Sequence, residues 1–503
     1  MSGRGFVLAI DQGTTSTRAI VFDEEGRPRA SAQVPLTQIY PAPGEVEHDP
    51  EEIWQSVLKA GRAALKDIDA QSVAAIGITN QRETTIVWER ATGKPLGNAI
   101  VWQDRRTAQH CDELKGEGWG THVEETTGLV IDPYFSATKL AWLLANVPGL
   151  QERARRGEVC FGTVDSFLLF KLTGGRLHAT DATNAARTML YDIGAGDWDE
   201  KLIGRLGVPR AMLPELADTQ GDFGATEPEH FGAAIPIRAM VGDQQAAAYG
   251  QACFAPGMLK ATYGTGCFVL ANTGGEKVAS ATRMLATIFH QIEGRRTYAL
   301  EGAIFMAGAT VQWLRDNLGL IASAAESEAL ARAADPSARI YLVPAFQGLG
   351  APFWDAGARG AIFGLSRAAS KADIVTAGLE AVAFQTRDLL SAMRKDMADS
   401  GIAAPSALRV DGGMTANAWF LQRLADILGE RVERAANPET TALGAAFHAG
   451  QAAGFFGDAA GLAKTWVPAR TYEPAMTEVE REARYGGWLD AVARVRSEGA
   501  KLA

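Results

Sequence analysis

The segment that most constrains this chain is Asp11-Gln12-Gly13-Thr14-Thr15-Ser16-Thr17-Arg18, a polar glycine turn between two apolar runs, Phe6 to Ile10 and Ala19 to Phe22. Short apolar runs bounded by turn residues read as buried strands, so the chain opens with a tight hairpin. The layout recurs: Met258 to Thr262, the turn Tyr263-Gly264-Thr265-Gly266, then Cys267 to Asn272. A third glycine turn, Asp411-Gly412-Gly413, follows the run Leu408 to Val410. Glycine fills 54 of the 503 positions, above the usual share of about 7%, with no collagen-like period. Three glycine turns at strand ends, spread over both halves, predict a duplicated two-domain α/β chain with one nucleotide held in the cleft between the domains.

The rest of the pattern supports alternating layers. Asp49-Pro50-Glu51-Glu52 announces a helix, with Asp at the N-cap, Pro at the first position and Glu placed as in a capping box. Its apolar positions Ile53, Val57, Leu58, Leu65 and Ile68 keep the helical period. Val73 to Ile78, Thr85 to Trp88 and Ala99 to Trp102 read as strands, Thr138 to Asn146 and Val164 to Leu172 as helices. Met240-Val241-Gly242-Asp243 reads as a strand running into an Ala-rich helix, and a further helix is expected from Asn417 to Leu428. The expected domain boundary falls between residues 1–252 and 253–503.

Net charge of -10 gives no electrostatic footprint for a polyanion, so nucleic acid is not an expected partner. Cys111, Cys160, Cys253 and Cys267 are too scattered for a disulfide framework or a zinc site. Five apolar residues before Asp11 are too few for a signal-peptide core, and no run approaches a membrane span. The expectation is a cytoplasmic protein without membrane insertion.

Gly13 and the hydroxyls that follow place several donors on one small concavity, which suits a phosphate; an ordinary polar hairpin is the alternative. Asp11, at the end of a buried strand, is placed to hold a hard cation such as Mg²⁺. No GxxxxGK[ST] occurs and no GxGxxG follows a strand, which sets aside P-loop and Rossmann sites.

Leu8 to Arg18 resembles the first phosphate motif of the FGGY carbohydrate kinases, which share the actin-like ATPase (ribonuclease H-like) fold. Gly77 to Thr85, Asp132-Pro133-Tyr134-Phe135-Ser136, Gly242-Asp243-Gln244-Gln245 and Tyr263 to Phe268 resemble that family's glycerol-phosphorylating members, over nearly the whole chain. The resemblance implies two such domains, the N-terminal one mainly binding glycerol and the C-terminal one mainly binding nucleotide. It implies transfer of the ATP γ-phosphate to a primary hydroxyl of glycerol, giving sn-glycerol 3-phosphate and ADP; the alternative is a family member acting on another polyol or a ketose. Arg82, Glu83, Tyr134, Asp243 and Gln244 are then the glycerol ligands, with Trp102 and Phe268 lining the carbon chain. Arg82 and Glu83 are adjacent, so joint use requires an irregular backbone; the competing reading is a surface ion pair, with Tyr134 a core aromatic. Asp243 is the implied general base, against a competing role as N-cap of the helix that follows.

For ATP the resemblance implies Thr14, Thr15, Ser16 and Arg18 at the first turn and Thr265 at the second, with Gly308, Gln312, Gly413 and Asn417 as further contacts. Gly308 as a packing glycine and Asn417 as a helix cap are the alternatives. Mg²⁺ would sit by Asp11 and Asp243. A homo-oligomer, dimer or tetramer, is implied as well. Glu229 to Ala234 lacks the arginine that ends a glycine-rich loop in regulated relatives, which leaves a sugar bisphosphate effector unsupported, and His230 reads as a solvated loop residue. A non-catalytic actin-like protein, filament subunit or chaperone ATPase, is the reading from another class; it needs the nucleotide cradle but not the polyol residues.

Overall fold

The computed structural model describes residues 5–497 apart from 347, 356 and 404–406. The strands that position the site are β1 (Phe6–Gln12), β2 (Ser16–Phe22), β3 (Pro28–Pro35), β4 (Val73–Asn80), β5 (Ile237–Gly242), β6 (Leu259–Tyr263), β7 (Cys267–Gly274), β8 (Ala407–Asp411), β9 (Arg431–Ala435) and β10 (Pro468–Tyr472). The helices are α1 (Pro50–Ala64), α2 (Ser136–Asn146), α3 (Ala182–Ala185), α4 (Asp243–Gly250), α5 (Gly308–Asp316), α6 (Lys371–Asp399), α7 (Ala418–Leu428) and α8 (Thr440–Ala452). The chain forms two compact units, one from 1–252, 286–299 and 439–465, the other from 253–285, 300–438 and 466–503. The crossing at 252/253 is therefore one of several, and two later stretches return to the first unit.

The first unit is built on a sheet of order β5-β4-β1-β2-β3. β5, β4 and β1 are parallel, while β1, β2 and β3 are joined antiparallel. Every residue of β4 is buried, as a parallel strand covered on both faces requires. On one face Leu8, Ile10, Ile76 and Ile78 pack with Ile53, Trp54 and Val57 of α1 and with Phe167; α8 packs on β1, β4 and β5.

α1 begins as expected, with the Asp49 carboxylate accepting from the Glu51 N–H at 2.8 Å. No capping box forms, because Glu52 Oε1 instead accepts from the Thr37 N–H and hydroxyl at 3.0 and 2.9 Å. The helix also stops at Ala64, so Leu65 and Ile68 lie beyond it. The strand expected at Ala99 to Trp102 covers only Ala99–Ile100, which leaves Trp102 in an irregular segment.

The sheet of the second unit contains the consecutive strands β7-β6-β8-β9-β10. β6, β8 and β9 are parallel, and β6 and β7 form the antiparallel hairpin with the second glycine turn. Each unit thus sets a glycine-turn hairpin beside a run of parallel strands, the duplication expected from the sequence. α6 starts with a reciprocal cap between Ser370 and Asp373, and its Val375 and Leu379 pack with Val311 and Leu314 of α5. All four cysteines are free and buried. Among the described residues no helix is long and apolar enough to cross a membrane.

Candidate active site

Ligands of open α/β sheets bind beyond the carboxyl ends of parallel strands. In the first unit those ends are Gln12, Asn80 and Gly242, and each leads directly into expected site residues: the hydroxyl turn after β1, Gln81-Arg82-Glu83 after β4, and Asp243 after β5.

The β1–β2 turn is closed by Gly13 N–H donating to Ser16 O at 3.0 Å. Its hydroxyls do not all share one concavity as expected. Thr17 points into the core and bonds Ser56 Oγ at 2.6 Å, because alternation along β2 sends Ser16 and Thr17 to opposite faces. Thr15 is exposed, Ser16 Oγ accepts from Gln33 Nε2 at 2.7 Å, and Thr14 Oγ1 accepts from Trp102 Nε1 at 2.8 Å. Arg18 is ion-paired with Glu439 at 2.7 Å. Asp11, half-buried opposite Arg18, has its pKa pushed up to about 7, mainly by burial; the Arg18 charge opposes this, and the carboxylates of Asp243 and Glu439 add to it.

After Asn80 the chain leaves strand geometry, and residues 81–84 form no regular element. This is the irregular backbone that joint use of Arg82 and Glu83 demands. Neither is a surface group, since both are about 2% exposed. Arg82 Nε lies 3.1 Å from Asp243 Oδ1 and 3.7 Å from Glu83 Oε1, and its Nη1 donates to Gln245 Oε1 at 3.2 Å. A Cβ on Gly242 would stand 2.7 Å from Arg82 Cδ, so the close approach of this guanidinium to the β5 end requires glycine there.

Asp243 is the first residue of α4 rather than its N-cap, a position taken by Gly242. Its Oδ1 accepts from the Gln244 N–H at 2.7 Å, and its side chain is 28% exposed. Gln244 is buried beside it. The Tyr134 ring, half-buried, meets Trp102 edge-on at 5.6 Å. Lys139, fully buried in α2, donates to Tyr134 O at 2.6 Å and Phe135 O at 3.1 Å; burial lowers its pKa to about 8, against the opposing pull of Glu83, Asp104 and Asp132. Arg187 joins the two groups, with Nε 2.7 Å from Glu83 Oε1 and its guanidinium 5.5 Å from the Tyr134 ring centre. Arg82, Glu83, Trp102, Tyr134, Asp243 and Gln244 are thereby brought together with Thr14 and Asp11 in one unit.

Phe268 lies in β7 of the second unit. There the turn after β6 is stitched to the start of α5: Gly308 N–H donates to Gly264 O at 3.0 Å, and Ala307 and Ala309 N–H to Thr265 O at 3.1 and 2.9 Å. A Cβ on Gly308 would stand 2.5 Å from Gly264 O, and one on Gly412, whose φ is +92°, 2.5 Å from Tyr263 O. These are close backbone approaches that no other residue permits. Thr265 and Gln312 are exposed, the latter one turn into α5. Gly413 follows the β8 end and is exposed. Asn417 caps α7, its Oδ1 accepting from Phe420 N–H at 2.9 Å and its Nδ2 donating to Ser327 Oγ at 3.2 Å.

The sequence reading missed Gln245, Glu439 and Arg187. Gln245 lay within a recognised string, whereas nothing local marks the other two. Among the described residues no group of three or more His, Cys, Asp and Glu is arranged to hold a metal.

Each of the two α/β units thus sets a glycine turn at the carboxyl ends of its parallel strands, and in the first unit the Asp243 carboxylate stands there too. Residues 6–250 match the N-terminal domain, and 259–453 the C-terminal domain, of the FGGY family of carbohydrate kinases. The chain belongs to that family. It is 58% identical to a glycerol kinase of Brucella ovis over 97% of this chain and 98% of that one. It is 57% identical to glycerol kinase 1 of Pseudomonas aeruginosa over 98% and 99%. The crystal structure of Plasmodium falciparum glycerol kinase with ADP superposes with a TM-score of 0.91 at 36% identity, covering 97% of this chain and 98% of that one. The fold is the two-domain, actin-like fold of the family.

Proposed function

We propose that this protein phosphorylates glycerol, transferring the ATP γ-phosphate to a primary hydroxyl to give sn-glycerol 3-phosphate and ADP. The observation that carries the reading is the Asp243 carboxylate, partly exposed at the end of β5 and held by Arg82 within the cluster that contains Glu83, Tyr134 and Trp102. The glycerol kinases of 57–58% identity support it.

Phosphoryl transfer asks little covalent chemistry of the protein beyond positioning, charge neutralisation and a proton acceptor. Glu83, Arg82, Tyr134 and Gln244 bind the hydroxyls, and the Trp102 ring lies along the carbon chain. Asp243 takes the proton of the attacking hydroxyl, whose oxygen bonds to the γ-phosphorus while the bond to the ADP oxygen breaks; the proton then passes to solvent. Thr14, Thr15, Ser16, Arg18, Thr265, Gly308, Gln312 and Gly413 contact the nucleotide, Phe268 the glycerol. Asn417, whose side chain is engaged in capping α7, contributes to nucleotide binding by fixing the start of that helix.

Asp11 and Asp243 suit Mg²⁺, which takes one or two protein carboxylates and keeps its waters. The Asp243 carboxylate adds to the upward push on the Asp11 pKa, a strain that a divalent cation between carboxylates relieves. Bound there with the nucleotide phosphates, the ion would neutralise charge developing on them. The protein is proposed to act in the cytoplasm as a homo-oligomer, and light scattering during gel filtration reads the assembly.

ADP release from Mg-ATP, measured with glycerol, erythritol, xylulose, ribulose and gluconate for wild type and Asp243→Asn, tests the reading. Glycerol-dependent turnover lost in Asp243→Asn supports it. Preference for a larger sugar removes glycerol as substrate, and turnover indifferent to every polyol removes the kinase activity altogether.

A further inference from the structure

One short segment, Asp181 to Arg187, has no place in the chemistry above, yet it reaches both strand ends that carry the acceptor residues. The Asp181 carboxylate caps α3, accepting from the N–H groups of Thr183 and Asn184 at 3.0 Å each. Thr183 Oγ1 donates to Asp181 Oδ1 at 2.8 Å and accepts from the Gly242 N–H at 2.8 Å, one residue before Asp243. Asn184 Oδ1 accepts from Asn80 Nδ2 at 2.9 Å, at the end of β4. Arg187, two residues beyond α3, donates from Nε to Glu83 Oε1 at 2.7 Å and lies 5.5 and 5.3 Å from the ring centres of Tyr134 and Phe135.

Arg187 is 0% exposed and Glu83 2%. A buried ion pair is weak evidence for stability, since apolar side chains of equal volume often serve as well or better. What an arginine supplies instead is direction, because its planar fork fixes the carboxylate it faces. Glu83 needs such fixing, lying in an irregular stretch where no strand geometry sets its orientation. The same guanidinium stands over the ring of Tyr134, so one side chain touches two acceptor candidates.

We propose that Arg187 is a positioning residue for acceptor binding: it aims the Glu83 carboxylate and holds the Tyr134 ring against the polyol. The inference rests on the reading of Glu83 and Tyr134 as acceptor ligands.

The test is steady-state kinetics of Arg187→Met, Arg187→Lys, Glu83→Gln and the Glu83→Gln/Arg187→Met double variant, with melting temperatures alongside. Loss of a charge-assisted contact predicts a glycerol KM raised about 10- to 100-fold in Arg187→Met, with the ATP KM within about twofold of wild type. Arg187→Lys, which keeps the charge but not the fork, should fall between. Because Arg187 acts in part through Glu83, the double variant should have a glycerol KM below the product of the two single-variant effects. A purely structural role would lower melting temperature and kcat while leaving glycerol KM unchanged, and that result, or KM effects that multiply in the double variant, overturns the proposal. If Arg187→Met does not fold, Arg187→Lys decides by the same KM criterion. A glycerol KM unchanged in Glu83→Gln would instead overturn the acceptor reading of Glu83 itself.

Discussion

Asparagine at position 243 keeps an oxygen for the Arg82 Nε and Gln244 N–H contacts but cannot take a proton from glycerol. Asp243→Asn should therefore fold normally and lose about 10²- to 10⁴-fold in kcat, the usual worth of a positioned general base; a loss below tenfold in the coupled assay would remove Asp243 from that role. Trp102 offers a different signature. Its indole N–H donates to Thr14 Oγ1 while its ring meets Tyr134, so it touches a nucleotide candidate and an acceptor candidate together. Trp102→Phe keeps an aromatic ring, though a smaller one, and deletes the donor, whose loss costs about 1 kcal/mol, and should raise the KM of ATP as well as that of glycerol by several-fold. An effect confined to glycerol would mean that the Thr14 contact is idle. At this scale sequence motifs exposed the residues that sit just beyond strand ends, and the adjacency of Arg82 and Glu83 even demanded the irregular backbone found there. The supporting partners were not legible: Arg187 lies 104 positions from Glu83, Gln245 163 from Arg82 and Glu439 421 from Arg18. No local pattern encodes a contact that only the folded topology creates.

Between α4 and α8 the packing depends on absent side chains. A methyl group on Gly444 would overlap the Ala246 carbonyl, and one on Gly250 the Thr440 carbonyl. Since Asp243 opens α4, pushing the helices apart also displaces the carboxylate. Gly444→Ala should cost about 1–3 kcal/mol, the range for overpacking, and lower kcat together with the denaturation midpoint; an unchanged midpoint would show that the helices part freely. Tyr249 of α4 stacks on His448 of α8 at 3.7 Å, and His290 stands 5.9 Å from His448. Burial lowers the pKa of His290 to about 4 and that of His448 well below its ordinary value, the His290 charge adding to the latter. At these two imidazoles the folded state thus binds fewer protons than the unfolded state below pH about 6.5, so their contribution to stability falls as pH drops from there toward 4. His290→Phe should lose less melting temperature than wild type between pH 7.5 and 5, and equal losses would mean that the imidazole is not held neutral. Element types were legible where caps and periodicity coincide, as at Asp49-Pro50. They failed where tertiary contacts compete, as when Thr37 draws Glu52 away from the α1 start.

At the scale of the molecule the chain leaves the first unit near residue 252 and returns to it twice, through 286–299 and 439–465. The first departure lies at 252/253. The returns were illegible because no linker composition marks them, and the Ala-rich pattern of α8 is what any close-packed helix would show. Their consequence is that the first unit is not one continuous stretch of sequence. α8 packs on β1, β4, β5 and α4, with Ala442, Ala445, Ala446 and Ala449 all fully buried, and Ile288 O accepts from Gln245 Nε2 at 3.0 Å. A fragment ending at 252 would leave one face of its central parallel strands in water, an apolar surface that a monomeric domain does not expose without loss of order. Residues 1–252 expressed alone should therefore bind a hydrophobic dye and melt without a cooperative transition. Appending 286–299 and 439–465 through flexible linkers should restore cooperative melting, because loop closure costs little beside the burial regained. Cooperative melting of the bare fragment would show instead that α8 is an accessory to a unit complete without it, and would free the Asp243 helix from dependence on the C-terminal part of the chain.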